Sequence, residues 1–276
     1  MKQLMDTSQL SYFIIDKAQQ PDIGVHWYQH DTYSEGLHFM LFSGTKYTQL
    51  EDVGPQLFAI DQDHPVCRVM DKLMEAAPIG CRFSSDLPVE EVVARCRWML
   101  QIETDFGRAL NRFYEPRAMQ ATWEVLGDEH WWSYWQIAQQ VSWFDEEWRQ
   151  LKRPEIQLVR AFLPDKPFMI FQHQFDEIDQ HRAGQFVNRM ADYYRDHLPE
   201  GAEPHSWVAR VLNAAKQHEM ITRELQEAWL RTAITEGENF MQRHDVAEAL
   251  SHTEFIPTQR WQHVQQLLSG LPGSVT

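Results

Sequence analysis

A strong helical period set between two short apolar runs narrows what this chain can fold into. Val66, Val69, Met70, Leu73, Met74 and Ala77 recur at i, i+3, i+4, i+7, i+8 and i+11, which places them on one face of a helix. Pro65 fits its first turn, Asp63 is placed to cap it, and Pro78 ends it. The runs on either side, Leu57-Phe58-Ala59-Ile60 and Gly80-Cys81-Arg82-Phe83, are too short for helices and read as buried strands. Tyr12-Phe13-Ile14-Ile15-Asp16 has the same character. Asp86 and Pro88 open a second helix. It turns Val89, Val92, Val93, Cys96 and Leu100 inward and holds Glu90 and Glu91 near the positive end of its dipole. Gly36–Ser43 fits helix or strand equally. Beyond these, the pattern predicts a strand over Leu110–Tyr114, a helix over Pro116–Leu126 stopped by Gly127, and a strand over Trp135–Phe144. Alternating strands and helices predict an α/β or α+β lobe with a small mixed sheet flanked by helices.

The chain changes character after Pro154. Pro164 and Pro167 mark a junction, and helical patterns alone follow. Phe186, Val187, Met190, Tyr193, Tyr194 and Leu198 form one stripe; Val208, Val211, Leu212 and Ala215 form another. Thr235-Glu236-Gly237-Glu238 has the form of a capping box. A last helix after Pro257 turns Trp261, Val264, Leu267 and Leu268 inward, with Leu271 as a further candidate, and Gly270 and Pro272 end it. The expected organisation is an α/β domain over residues 1–160 and an all-helical C-terminal domain over 165–276.

Charge excludes several partner classes. Forty acidic residues against 25 basic ones give a formal net charge of −15. Nucleic acids and anionic membranes both select positive surfaces, so neither is expected as a partner. Residues 1–63 hold nine Asp and Glu against three Lys, a local excess able to steer a basic protein or simply to keep the chain soluble. The first residues lack the apolar run of a secretory signal, and no stretch approaches the ~20 apolar residues of a membrane span. A cytoplasmic protein is expected. Cys67, Cys81 and Cys96 are an odd number of widely spaced thiols, expected to be reduced and packed as small apolar groups.

Chemistry-bearing patterns are sparse. The glycine-rich nucleotide loops, the Gly-x-Ser-x-Gly elbow and the His-Glu-x-x-His zinc motif do not occur. His173 with His181, and His197 with His205, lack a third ligand at a metal-binding spacing. Carboxylates such as Glu90-Glu91 and Asp145-Glu146-Glu147 are adjacent and diverge instead of converging on a substrate. No cofactor and no catalytic residue are therefore expected. Two segments stand out as candidate partner-binding sites. In Arg112-Phe113-Tyr114-Glu115-Pro116-Arg117, two guanidiniums flank two aromatics where a strand is expected to pass into a helix. They can grip a carboxylate of a partner, or tie the sheet to neighbouring acids. In His130-Trp131-Trp132-Ser133-Tyr134-Trp135, consecutive tryptophans on a strand would face opposite sides, so one would be exposed or covered by another domain or a partner. The candidate contact residues are Arg112, Tyr114, Arg117, Trp131, Trp132 and Trp135.

These segments also carry a family resemblance. Leu41-Phe42-Ser43-Gly44-Thr45, Gly54-Pro55-Gln56-Leu57 and Arg112-Phe113-Tyr114-Glu115-Pro116-Arg117, in that order, resemble the motifs of a domain-of-unknown-function family whose members are effector adaptor-chaperones of type VI secretion. Glu115 stands where the usual motif has Asp. The opening Tyr12–Asp16 is similar to that family's first strand, and Arg182-Ala183-Gly184-Gln185-Phe186-Val187-Asn188-Arg189-Met190 resembles a helical tail found in some members. The resemblance implies a non-enzymatic protein that binds a secreted effector (a toxin) and loads it onto the VgrG spike. An effector segment would dock in a cleft between the two lobes, with another surface meeting the spike. Two alternatives stay open from the residues alone: a small-molecule hydrolase, and an immunity protein that blocks a toxin.

Overall fold

A computed structural model describes residues 10–30, 36–154 and 166–270. The fold is α+β, an N-terminal sheet region followed by a helical C-terminal region. It divides into two compact units between Arg182 and Ala183.

The first unit is built on a six-stranded sheet. Its strands in chain order are β1 (Leu10–Asp16), β2 (Leu37–Met40), β3 (Pro55–Asp61), β4 (Gly80–Ser84), β7 (Gln140–Asp145) and β8 (Glu147–Lys152). Their spatial order is β2-β3-β1-β4-β7-β8, with every neighbouring pair antiparallel. Strand–helix–strand alternation and antiparallel pairing coexist because β1 lies between β3 and β4. The helix α2 (Val66–Ala76) joins those two strands, and β1 separates them. Mixed pairing occurs in a second, three-stranded sheet. There β5 (Gln101–Thr104) pairs antiparallel with β6 (Gly107–Leu110) and parallel with β9 (Phe168–Met169).

Two apolar layers sandwich the main sheet. Side chains alternate along β1, so Tyr12 and Ile14 face one layer while Phe13 and Ile15 face the other. Phe13 and Ile15 pack with Ile23 and Trp27 of α1 (Ile23–Tyr28) and with Val66, Met70 and Met74 of α2. Tyr12 and Ile14 pack with α3 (Val89–Met99) and with α4 (Pro116–Tyr134). A strand covered on both faces needs apolar residues at every position, which is why β1 reads as an unbroken apolar run. Gly80 is fixed by the same close packing: a Cβ there would lie 1.9 Å from the Ile14 carbonyl oxygen.

Several local expectations are corrected. Leu110–Tyr114 is not a strand: β6 ends at Leu110 and a turn follows. Trp131–Tyr134 is helical, and the strand expected from Trp135 begins at Gln140. The helix that starts at Pro116 does stop at Gly127, as expected: its φ of 68° and ψ of 166° are non-helical, and a second helical stretch follows across the kink to Tyr134. Asp63 makes no cap to α2. The hairpin of β5 and β6, and the edge strand β8, were not expected.

In the second unit, the later part of α5 (Gln172–Tyr193) packs with α6 (Pro204–Gln217), α7 (Arg223–Glu236), α8 (His244–Ser251) and α9 (Pro257–Ser269). Trp229 lies at its centre, against His218, Phe240 and Trp261 at ring distances of 5.3, 4.9 and 5.5 Å. Glu203 caps α6 by accepting N–H bonds from His205 and Ser206, which holds its carboxyl down at about 2. Thr222 caps α7, whose C-terminus closes on Gly237 at φ 90°. Thr235 therefore sits in the last turn of α7 and donates to the Arg231 carbonyl; it opens no helix. Val208, Val211, Leu212, Ala215, Trp261 and Val264 are buried as expected, whereas Tyr193 is exposed. Gly270 ends α9 in the left-handed conformation; Leu271 and Pro272 lie outside the described residues.

Candidate functional site

The turn after β6 brings Arg112 back to the end of β1. There its guanidinium pairs with Asp16. Asp16 is held from a second side by the Ala18 N–H at 3.0 Å. Arg112 also reaches Glu115, at 3.4 Å. Arg117 grips the same carboxylate through both Nε (2.7 Å) and Nη2 (3.4 Å). Pro116 starts α4 between them, at a position where its missing N–H is no loss. Two cations and two acids thus form one chain, Asp16–Arg112–Glu115–Arg117, which fastens the N-terminus of α4 to the sheet. The acids are nearly enclosed, with side chains 6% and 10% exposed, while Arg112 keeps 47% of its side chain in solvent. Tyr114 is buried beside the cluster; burial, then the Asp16 charge, pushes its phenol well above the usual range.

The tryptophan segment lies in the same layer, inside the core. Trp131, Trp132 and Trp135 are at most 1% exposed. Trp135 meets Phe113 at 5.4 Å and Phe83 at 6.1 Å, and Trp131 meets Trp135 at 5.7 Å. Neighbouring residues on a helix point about 100° apart, so a helix covered on most sides buries both members of a tryptophan pair. In this arrangement the three rings, and Tyr114, offer no surface to a partner. Of the six sequence candidates, Arg112 and Arg117 alone keep a substantial solvent-facing part.

A cleft of about 130 Å³ adjoins the arginine cluster. Its ionisable lining comprises Arg112, Tyr134, Asp179 and Arg182, with Phe113, Ile170 and Phe175 supplying apolar wall. The Tyr134 hydroxyl is committed: it donates to the Met99 carbonyl at 2.6 Å and accepts from Asn111 at 2.7 Å. The thiols lie apart from solvent, and burial pushes Cys67 up to about 11 and raises Cys81 and Cys96 as well. Among the described residues no group of three or more His, Cys, Asp or Glu is placed to hold a metal ion. His181 instead pairs with Glu124 at 2.9 Å, His205 lies near Glu203, and His173 stacks on Phe171.

The other motif segments meet one another. The Phe42 ring lies where a Cβ on Gly54 would come within 2.4 Å, so Gly54 is required for that ring to seat. Thr45 and Thr48 both donate to the Phe42 carbonyl, at 2.7 and 3.2 Å, around Gly44 at φ 72°. The buried Gln56 accepts from His38 Nε2 at 3.1 Å, which leaves Nδ1 to accept from the Tyr28 hydroxyl.

One exposed feature escaped the sequence reading. Phe106, at the tip between β5 and β6, is 86% exposed. Thr104 accepts its N–H at 3.1 Å, and the neighbouring Asp105 accepts the Gln172 N–H at 2.7 Å, so the tip is tied down. Phe171, also exposed, follows the strand that pairs with β5. The available signal was an aromatic inside the turn-type sequence Asp105-Phe106-Gly107.

Among the described residues no helix is long and apolar enough to cross a membrane. No curated protein and no solved structure matches the chain. Residues 11–133, a little under half of the chain, match a family described as a domain of unknown function, DUF4123; the matched stretch runs from β1 through the arginine cluster to the tryptophan pair.

Proposed function

We propose that this protein is a cytoplasmic adaptor-chaperone that binds a type VI secretion effector and promotes its loading onto the VgrG spike, without making or breaking bonds. The observation that carries the reading is the family match over residues 11–133, together with the ordered motifs resembling those adaptors. The packing is consistent with a scaffold. The arginines are engaged with the protein's own acids, the thiols are held protonated, and the Tyr134 hydroxyl is committed to the backbone. A hydrolase acting in the small cleft would need a nucleophile and a base in reach of one another. The cleft's ionisable lining is instead two guanidiniums, a tied-up phenol and Asp179, whose carboxylate lies 3.6 Å from Arg182. The partner surface falls to exposed groups, and the fixed aromatic tip at Phe106 with Phe171 nearby is suited to anchor a polypeptide.

Co-expression tests the reading. The full chain, tagged, is expressed with each effector encoded in the same bacterium and with VgrG. Effector solubility and its recovery on VgrG should rise with the chain present. Unchanged solubility and unchanged recovery on the spike would overturn the proposal. Inhibition of the effector's toxic activity by the chain, with no effect on its delivery, would favour an immunity protein.

A further inference from the structure

The helical unit carries an open groove of about 520 Å³ between the later part of α5, α6 and α7. Its floor is apolar: Phe186 and Val187 from α5, Ala209 and Leu212 from α6. The small Ala209 leaves room between its neighbours. Three cations line it, Arg210, Lys216 and Arg223, and among the described residues no acidic one does. That bias begins in the sequence. Helix α6, Pro204–Gln217, contains no Asp or Glu in a chain with 40 acids against 25 bases. Arg210 and Lys216 join Ala209 and Asn213 on its exposed face. Arg223 lies over the Phe186 ring at 4.1 Å, and Arg210 donates to Glu238 at 2.8 Å. Gln226 adds a second kind of demand. It is 2% exposed, its amide donates to the Ile221 carbonyl at 3.3 Å, and its Oε1 has no hydrogen-bond partner among the described residues. A buried acceptor left unpaired is costly, and a donor entering the groove would relieve it.

We infer that this groove receives an acidic, amphipathic helical segment of a partner protein. The apolar floor takes Leu-type side chains at helical spacing, and the rim pairs with Glu or Asp on the segment's flanks. Gln226 accepts from a side-chain donor of the segment, whose backbone N–H groups are bonded within its own helix. An open trough encloses little of a small molecule, whereas a helix lies along it and covers both floor and rim. Nucleic acid fits poorly, because the chain as a whole is at −15. The inference rests on the adaptor reading for the partner being carried cargo, and it adds the chemistry of the segment held.

The test uses the full chain and two fluorescein-labelled synthetic amphipathic peptides, identical except that one carries Glu and the other Lys on its polar flanks. Fluorescence anisotropy should show the Glu peptide binding about tenfold or more tighter than the Lys peptide, with the affinity falling as NaCl rises. Lys216→Glu should weaken the Glu peptide about tenfold. Ala209→Trp, which fills the trough from an exposed position, should abolish binding while circular dichroism and the melting curve stay those of the parent. Equal affinity for both peptides would overturn the inference. So would unchanged affinity in both variants, tighter binding of a single-stranded oligonucleotide, or a dimer in sedimentation velocity that Ala209→Trp disperses. An effector that co-purifies equally with the parent and both variants would refute the groove and leave the adaptor reading standing. Peptide binding as expected, with no effector stabilised in co-expression, would do the reverse.

Discussion

Arg112→Ala separates a brace from a contact residue. In the parent, the Asp16 carboxylate is 6% exposed and relies on the guanidinium of a residue 96 positions later. Breaking a fully buried ion pair costs ~3–5 kcal/mol, and an exposed pair contributes ~0–1 kcal/mol. Arg112 is half in solvent, so screening discounts the larger figure. Asp16 also retains the Ala18 N–H, and Glu115 retains Arg117. The expected loss is about 2 kcal/mol, a melting temperature lower by roughly 4–8 °C for a unit of this size. Arg112→Lys keeps the charge without the fork and should lose about half as much. A double-mutant cycle with Asp16→Asn should return a coupling of about 1–2 kcal/mol. Hydrogen exchange of the β1 amides in urea reports this unit alone. If Arg112→Ala stayed within about 0.5 kcal/mol of the parent yet released the effector, the brace assignment would be wrong and the guanidinium would be a contact group.

Glycine substitutions should diverge by site. Gly80→Ala forces a methyl against the Ile14 carbonyl in the sheet centre and should cost more than about 4 kcal/mol, seen as insoluble expression. Gly184→Ala, on a helix with nothing within 4 Å, should stabilise by about 0.5–1 kcal/mol in chemical melts. Trp132→Ala should cost about 3–5 kcal/mol by leaving a core cavity, and should unfold the sheet unit instead of selectively losing partner affinity. Burial holds His38 and His218 below the ordinary 6.5. The unfolded chain therefore takes up protons first as pH falls below about 6.5. Stability is full above that pH and declines on acidification until the folded-state values are passed. His38→Gln should flatten part of that slope in urea melts at pH 7.5 and 5.5, and an unchanged slope would refute the assignment.

Burial on both faces made the centre of the sheet legible in the sequence. β1, β3 and β4 read as solid apolar runs, and α2 and α3 showed their inner stripes directly. The rest was hidden for the opposite reason. Glu147–Lys152 is an edge strand exposed along nearly its whole length, and β5 and β6 bury little more than Ile102, so neither leaves an apolar signature. The aromatic run at Trp131–Tyr134 has strand-like composition, yet it folds as a helix because enclosure on most sides demands bulk at successive positions. Within the candidate site, Glu115 between its two arginines was visible as a local pattern. Asp16 was not, because no local spacing announces a partner from the other end of the domain.

If the protein is an adaptor, as proposed, the fold also limits which side chains can select what it carries. Phe42 is seated on Gly54, Gln56 is bonded to His38, and Arg112 and Arg117 are engaged with Asp16 and Glu115. The side chains behind the resemblance are thus largely consumed in packing, and changing them would disturb the fold before it altered a preference. On the adaptor proposal, partner choice would fall to exposed side chains such as the Phe106 tip and the outer face of α6, where Arg210 already holds Glu238. Two such proteins could share every motif residue and still carry different cargo. If the groove proposal holds, exchanging Ala209, Asn213 and Lys216 should redirect partner choice with little loss of stability, because all three lie on the solvent side of α6, whereas Arg210 also holds Glu238.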